Sequence, residues 1–287
     1  MVKIAILGDI HRHFTPADVA TLNHADYDLA LITGDLVDFR APDAFPIADL
    51  LAQLKMPALL IAGNHDCTNI TQFLAEVKGI NWLAEVSSGG QDKRVAELQR
   101  HLGPVTFAAY SCHDFSLNDQ DFSIIAARPF SPGGPELRFR PYLRQAYGIN
   151  SLGDSVQRLQ QLVDQAASDT LIFLAHNGPA GLGGNKDDIW GCDFRAAAGD
   201  YGDPDLQEAI LYAKEQGKRV PAVVAGHMHH QLQGGGQRKW LVEADRTTYI
   251  NAARVPRIFE RYGETMHHHL AVTLQGQKVT VEEMLIS

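Results

Sequence analysis

The stretch PALLIAGNHD, Pro57–Asp66, decides how this chain is read. The apolar run Ala58–Ala62 has the length of a buried strand, and Gly63 marks its end. Three polar side chains then follow without a break: the amide of Asn64, the imidazole of His65 and the carboxylate of Asp66. A core has no use for them, so the strand delivers them to its carboxyl end. Other strands repeat the pattern. KIAILG runs into Asp9-Ile10-His11, and DLALITG runs into Asp35. LIFLA runs into His176-Asn177-Gly178-Pro179, and PAVVAG into His227-Met228-His229.

Working outward, apolar runs recur at Ile4–Leu7, Leu29–Thr33, Ala58–Ala62, Phe122–Ala127, Leu171–Ala175 and Ala222–Ala225. Segments with helical spacing lie between several of them: Pro42–Leu54, Ser155–Ala167 and Pro204–Gln216. Asp203-Pro204 reads as an N-cap followed by proline at the first helical position. Strands alternating with helices predict an α/β architecture. The tail differs: Thr248–Ala253, His269–Leu274 and Lys278–Ile286 read as strands without intervening helices, with a hairpin loop at Gln275-Gly276-Gln277. They add antiparallel strands to a sheet. Residues from about 79 to 150 break the rhythm with Ser87-Ser88-Gly89-Gly90 and Pro132-Gly133-Gly134-Pro135. They read as an irregular insertion, or cap, within a single domain spanning 1–287, with a helix at Asp92–His101 and a main-sheet strand at Phe122–Ala127.

Composition narrows the class. The chain has 287 residues, 45% of them hydrophobic, enough for a well-buried core. It has no run of 18 apolar residues, so no transmembrane helix is expected. The first strand lacks a small-residue cleavage site and does not read as a signal peptide. A formal net charge of −9 argues against non-specific nucleic-acid binding. Three scattered cysteines, Cys67, Cys112 and Cys192, make no disulfide framework or CxxC site, and a reducing cytoplasm is expected.

In open α/β sheets the carboxyl edge is where ligands bind. The side chains pooled there offer carboxylate oxygen, amide oxygen and imidazole nitrogen, with no thiolate, a set that suits Mn, Fe or Zn. Seven candidate ligands exceed the need of one tetrahedral ion, whereas two ions sharing a carboxylate use them all. The DxH spacing has a physical sense, because residues i and i+2 of an extended strand point to one face. Each motif alone has an ordinary explanation as a turn or a cap; the ordered set of five does not. The remaining histidines, His13, His24, His101, His113, His230 and the run His267-His268-His269, read as surface, and Cys67 as packed.

In this order, GDIH, GDLVD, GNHD, AHNG and GHMH resemble the calcineurin-like metallophosphoesterase family, from Asp9 to His229. The resemblance implies a four-layer αββα sandwich of two mixed β-sheets flanked by helices. It implies two divalent metal ions (Mn, Fe or Zn, with Mn expected in vitro). Asp9, His11 and His229 would hold the first; Asn64, His176 and His227 the second; Asp35 would bridge them. His65 would act on the phosphate or leaving oxygen, with Asp66 orienting its imidazole, and both are expected as catalytic residues. The implied reaction is hydrolysis of a phosphomonoester or phosphodiester by a metal-bridging hydroxide. Alternatives of the same family are a Ser/Thr protein phosphatase, a nuclease or a non-catalytic scaffold. The chain departs from the protein phosphatase pattern, with GDLVDFR and GNHD where that branch reads GD-x-VDRG and GNHE. It also lacks the tyrosine of the purple acid branch. ARPFSPGG and NAARVPRI resemble a branch common in photosynthetic bacteria and plastids. Arginine suits phosphate recognition, so Arg128, Arg138, Arg140 and Arg144 are candidates to touch substrate, Arg128 first because it follows a strand.

Overall fold

The computed structural model describes residues 1–195, 199–276 and 278–287. The strands of the first half are β1 (Val2–Leu7), β2 (Leu29–Ile32), β3 (Ala58–Leu60), β4 (Thr106–Phe107), β5 (Ser111–Leu117) and β6 (Gln120–Ala126). Those of the second are β7 (Thr170–Leu174), β8 (Arg219–Ala225), β9 (Leu241–Ala244), β10 (Thr247–Asn251), β11 (Ile258–Arg261), β12 (Glu264–Gln275) and β13 (Lys278–Ile286). The helices are α1 (Pro16–His24), α2 (Ala44–Leu51), α3 (Ile70–Lys78), α4 (Asn81–Ser87), α5 (Gln91–Leu102), α6 (Arg140–Tyr147), α7 (Leu152–Gln165) and α8 (Pro204–Glu215).

These strands form two mixed sheets. One has the order β11-β12-β1-β2-β3-β4, with β13 also paired to β12; the other has the order β5-β6-β7-β8-β10-β9. Parallel pairing runs through β1–β4 and through β6, β7, β8 and β10, and the remaining pairs are antiparallel. The continuous apolar runs follow from burial on both faces. Alternate residues divide between two cores, as the two-residue period of a strand requires. Ile4, Ile6, Leu29, Leu31 and Leu59 of the first sheet cluster with Ile124, Ile172, Leu174 and Val224 of the second, between the sheets. Their neighbours Leu7, Ile32, Leu60, Phe173 and Val223 pack in the other cluster with helix residues such as Val19, Ile47, Leu98, Leu159 and Ala209. The expected α/β sandwich with flanking helices is therefore the observed one.

The element boundaries differ for local reasons. The helix expected from Ser155 starts at Leu152, because Ser151 and Asp154 form a capping box. The helix expected at Pro42–Leu54 opens as a 3-10 turn over Ala41–Asp43 and is helical over Ala44–Leu51. Segment 79–150 is more regular than expected. It carries three helices and three strands, and it is woven into both sheets through β3–β4 and β6–β7 pairing. The hairpin loop expected at Gln275-Gly276-Gln277 falls between β12 and β13, which pair antiparallel; Gln277 lies outside the described residues.

Two expectations about polar residues are overturned. Arg128 does not face a ligand. It is buried just past β6, where its Nε donates to Asp205 Oδ2 at 2.9 Å and its Nη2 to Asp205 Oδ1 at 3.1 Å. A third contact reaches Asp203 Oδ1 at 3.1 Å. Burial works against its charge, and the two carboxylates at the start of α8 outweigh burial. Asp203 stands at the N-cap as expected, but its carboxylate is turned to Arg128 and to the Ser131 hydroxyl. The histidine run is not strand surface either. β12 has paired neighbours on both sides, and His268 and His269 are buried. His269 shares a hydrogen bond of 2.8 Å with the Tyr27 hydroxyl. His230 is also buried, its Nε2–H donating to the Asn251 carbonyl.

Breaking a buried pair leaves an uncompensated charge, a loss of about 3–5 kcal/mol. Urea unfolding of Arg128→Ala is expected to show a loss of that order. Acid has a second effect. Burial, then the nearby Arg257, pushes the His269 imidazole down to about 4 from an ordinary value of 6.5. The unfolded chain therefore binds this proton first as pH falls, and the His269 contribution to stability is lost between about pH 6.5 and about pH 4. The stability gap between the native chain and His269→Gln, read from urea midpoints, is expected to close across that window.

Candidate metal centre

Five strands end at one rim. β1 delivers Asp9 and His11, β2 delivers Asp35, β3 delivers Asn64 and His65, β7 delivers His176, and β8 delivers His227 and His229. Neighbouring strand ends are tied by backbone hydrogen bonds: His11 N–H donates to the Asp35 carbonyl and Arg12 N–H to the Leu36 carbonyl, both at 2.8 Å. The approach is too close for side chains at every position. A Cβ at Gly63 would lie 2.1 Å from Asp35 Oδ1, and one at Gly226 2.2 Å from Asp9 Oδ1. The candidate ligands sit in strained backbone, with positive φ at Asp9 (35°), His11 (41°), Asp35 (49°) and His227 (68°). Non-glycine residues hold such angles only where the surroundings impose them.

The side chains gather in two groups. Asp9, His11 and His229 each bring a ligand atom within 4.8 Å of the others, and so do Asp35, His176 and His227. Asp35 spans both. Its Oδ2 lies 3.5 Å from His176 Nε2 and 3.9 Å from His11 Nε2, while its Oδ1 accepts the His65 N–H at 3.0 Å. Asn64 joins the second group, its Oδ1 2.9 Å from His176 Nε2.

Hydrogen bonding fixes what these atoms offer. His176 Nδ1–H donates to the Thr33 carbonyl at 2.6 Å, so in the neutral ring Nε2 is a lone pair. That lone pair faces Asn64 Oδ1 and Asp35 Oδ2, both acceptors. His11 Nδ1–H donates to Asp38 Oδ1 at 2.9 Å, which leaves Nε2 a lone pair with no protein partner. His227 Nδ1 is likewise buried without a partner. Burial lowers the pKa of His176 and His227 and takes His229 down to about 4, so these rings are neutral near pH 7. Burial, then the adjacent Asp35, raises the Asp9 carboxyl. Lone pairs converging on shared points, next to two crowded buried carboxylates, lack only positive charge. The oxygen and imidazole donor set fits two divalent cations.

His65 lines a cavity beside this rim. Its Nδ1–H donates to the Asp38 carbonyl, and its ring packs against Phe73 at 4.5 Å between centroids. Asp66 does not orient it, contrary to expectation. The Asp66 oxygens accept backbone N–H groups instead, from Leu36 at 2.8 Å and Gly63 at 2.9 Å, which ties the β2 and β3 ends together. Burial, then Asp35, pushes its carboxyl up to about 8. The residue that sequence reasoning missed is Asp38, whose carboxylate orients His11 and whose carbonyl orients His65. The signal was present in GDLVD, three residues past Asp35. Of the four arginine candidates, Arg138 lines the cavity. Arg140 and Arg144 belong to α6, where Arg144 pairs with Glu85.

The chain is similar to several known proteins. A protein described as a probable cyclic nucleotide phosphodiesterase, from Synechococcus sp., is 25% identical over 241 residues, covering 83% of this chain and 72% of its own. The crystal structure of a dimetal phosphatase from Danio rerio shares the fold, with a TM-score of 0.54 at 13% identity over 100% of this chain and 98% of that one. The chain spans 54% of the length of another similar structure, from Staphylococcus aureus, at 12% identity and a TM-score of 0.48. The model of the calcineurin-like phosphoesterases matches residues 2–231. The chain belongs to the calcineurin-like phosphoesterase family, and this membership supports a metal-dependent phosphoesterase.

Proposed function

We propose that the chain is one domain over residues 1–287 that hydrolyses a phosphomonoester or phosphodiester at a dinuclear metal centre. Asp9, His11 and His229 hold one cation, Asn64, His176 and His227 the other, and Asp35 bridges them. The observation that carries this reading is Asp35 Oδ2, which lies within 3.9 Å of His11 Nε2 and 3.5 Å of His176 Nε2. Mn, Fe and Zn all accept such donors. When bound, the two ions neutralise phosphate charge and lower the pKa of a nucleophilic water.

The chain's own residues do the rest. In this reading His65, which lines the cavity beside the rim, acts on the phosphate. With Nδ1–H held by the Asp38 carbonyl, the ring exchanges protons through Nε2, which gives a proton to the departing oxygen. Asp38 also fixes the His11 tautomer through its carboxylate, so one residue aligns both a ligand and the acid. Likeness to the Synechococcus protein favours a phosphodiester, cyclic nucleotides included. Turnover of bis(p-nitrophenyl) phosphate against p-nitrophenyl phosphate decides between diester and monoester. Three free cysteines suit a reducing compartment such as the cytoplasm.

General acid catalysis contributes about 10²–10⁴-fold. His65→Ala is expected to lower kcat on an alkyl ester by that factor and on a p-nitrophenyl ester by less, since the better leaving group needs no proton. Equal losses on both would remove His65 from leaving-group protonation. Asp35→Asn is expected to cut bound metal from two ions per chain to one or fewer after dialysis, measured by plasma emission. Two ions retained at full occupancy would rule out the bridge.

A further inference from the structure

The cavity beside the metal rim has a volume of about 310 Å³. Asp35, Asn64, His65, His227 and His229 line one part of it, and Phe73, Phe194 and Tyr201 line another. A site for bare phosphate has no need of the second part. Phe194 keeps 40% of its surface exposed and meets Tyr201 edge-to-face, with centroids 5.1 Å apart and planes at 84°. Aromatic faces left open next to a polar centre are characteristic of ligand contact.

The stretch Pro132-Gly133-Gly134-Pro135, an unassigned break in the sequence pattern, turns out to hold this wall. Gly133 and Gly134 adopt φ of 77° and 86°. A Cβ at Gly133 would lie 2.5 Å from the Tyr201 carbonyl oxygen, and one at Gly134 3.1 Å from the Tyr201 ring. The Gly134 N–H donates to the Tyr201 carbonyl at 2.9 Å, and the Asn177 amide donates to it at 3.0 Å. Asn177 directly follows the metal-group residue His176, so the tyrosine is anchored both to segment 79–150 and to the β7 strand end. Phe73 stands against His65 itself. An organic group carried by a phosphate at the rim therefore meets aromatic surface.

We propose that Phe73, Phe194 and Tyr201 form a subsite for a planar ring carried on the phosphoester, which makes the substrate class a small aromatic or heteroaromatic phosphoester. The inference rests on phosphoester hydrolysis at the metal centre. The volume sits at the low end of ligand pockets, room for one ring system and a phosphate rather than for a folded phosphoprotein segment. Arg138, whose side chain is 15% exposed and pairs with Glu136 at 2.7 Å, adds a cation to the same cavity.

The test uses the full chain loaded with Mn²⁺ and matched esters whose alcohols have similar leaving ability: benzyl against propyl phosphate, and methyl benzyl against methyl propyl phosphate. Aromatic contacts of this kind are worth about a two- to tenfold preference. The native chain is expected to show a KM for the benzyl ester lower by about that factor. Phe194→Ala and Tyr201→Ala are expected to erase the preference, and Gly134→Ala to weaken it by displacing the Tyr201 ring. Trp82→Ala, which removes an aromatic side chain exposed outside the cavity, is expected to keep both the preference and the activity. Equal KM values for benzyl and propyl esters in the native chain, or a preference that survives in both Phe194→Ala and Tyr201→Ala, would overturn the subsite while hydrolysis itself stands. Failure of the native, Mn²⁺-loaded chain to hydrolyse any ester would instead overturn the phosphoesterase reading and the subsite with it.

Discussion

The structure depends on one electrostatic constraint: buried lone pairs that face one another need positive charge between them. Asp9 and Asp35 are both buried and close enough that one raises the pKa of the other. Around them stand imidazoles whose protons are already committed to carbonyl and carboxylate acceptors. Protonating the His176 ring is opposed by burial, and His11 Nε2 and His227 Nδ1 have no protein donor to turn to. Side-chain hydrogen bonds among the ligands do not resolve the conflict, because the facing atoms are acceptors. Divalent cations do, and the donor set selects hard to borderline ions over soft ones.

That constraint explains why the backbone around the rim is strained. Four of the candidate ligand residues hold positive φ, a conformation that costs each of them about 1–3 kcal/mol. The scaffold supplies the compensation. Two sheets share a continuous apolar core, the Asp66 carboxylate cross-links two strand ends through backbone N–H groups, and glycines at 63 and 226 let carboxylates approach within van der Waals contact of the chain. Asp66 is thus a girder of the rim. A carboxylate next to a histidine in sequence invites assignment as its orienting partner. Here successive residues diverge at the turn, and the oxygens find N–H groups across the sheet.

What was legible in the sequence follows from range. Strand runs ending in glycine and a polar cluster are local signals, and they located both the β-rich α/β architecture and the residues that the fold gathers into two candidate metal-binding groups, from Asp9 to His229. The capping box at Ser151 is also local, written in the chain as Ser151 and Asp154 three residues apart. Arg128 and the histidines of β12 are different in kind. Whether a cation after a strand faces a phosphate or two carboxylates seventy-odd residues away depends on where α8 starts in space, and no spacing rule carries that. Similarly, His268 and His269 are buried because β12 is flanked on both sides, a fact of sheet order and not of their neighbours in the chain. The regularity of segment 79–150 was hidden for the same reason, since its short strands gain meaning only through their partners β3 and β7.

The two parts of the cavity wall show how this fold separates chemistry from recognition. The metal rim is built from strand ends, rigid and tied to the core on both sides, where a shift of a fraction of an ångström would break ligand geometry. The aromatic wall comes from α3, from the turn at residues 132–135 and from the loop that precedes α8. Those elements connect strands of the two sheets without belonging to either, so they can change length and composition without moving Asp9, Asp35 or His227. The wall can therefore vary on this chain independently of the candidate metal centre. The coupling between them runs through few atoms: the Asn177 amide, which follows His176 and holds Tyr201, and the Phe73 ring, which packs on His65. These two contacts tie the aromatic wall to His176 and His65 at the rim.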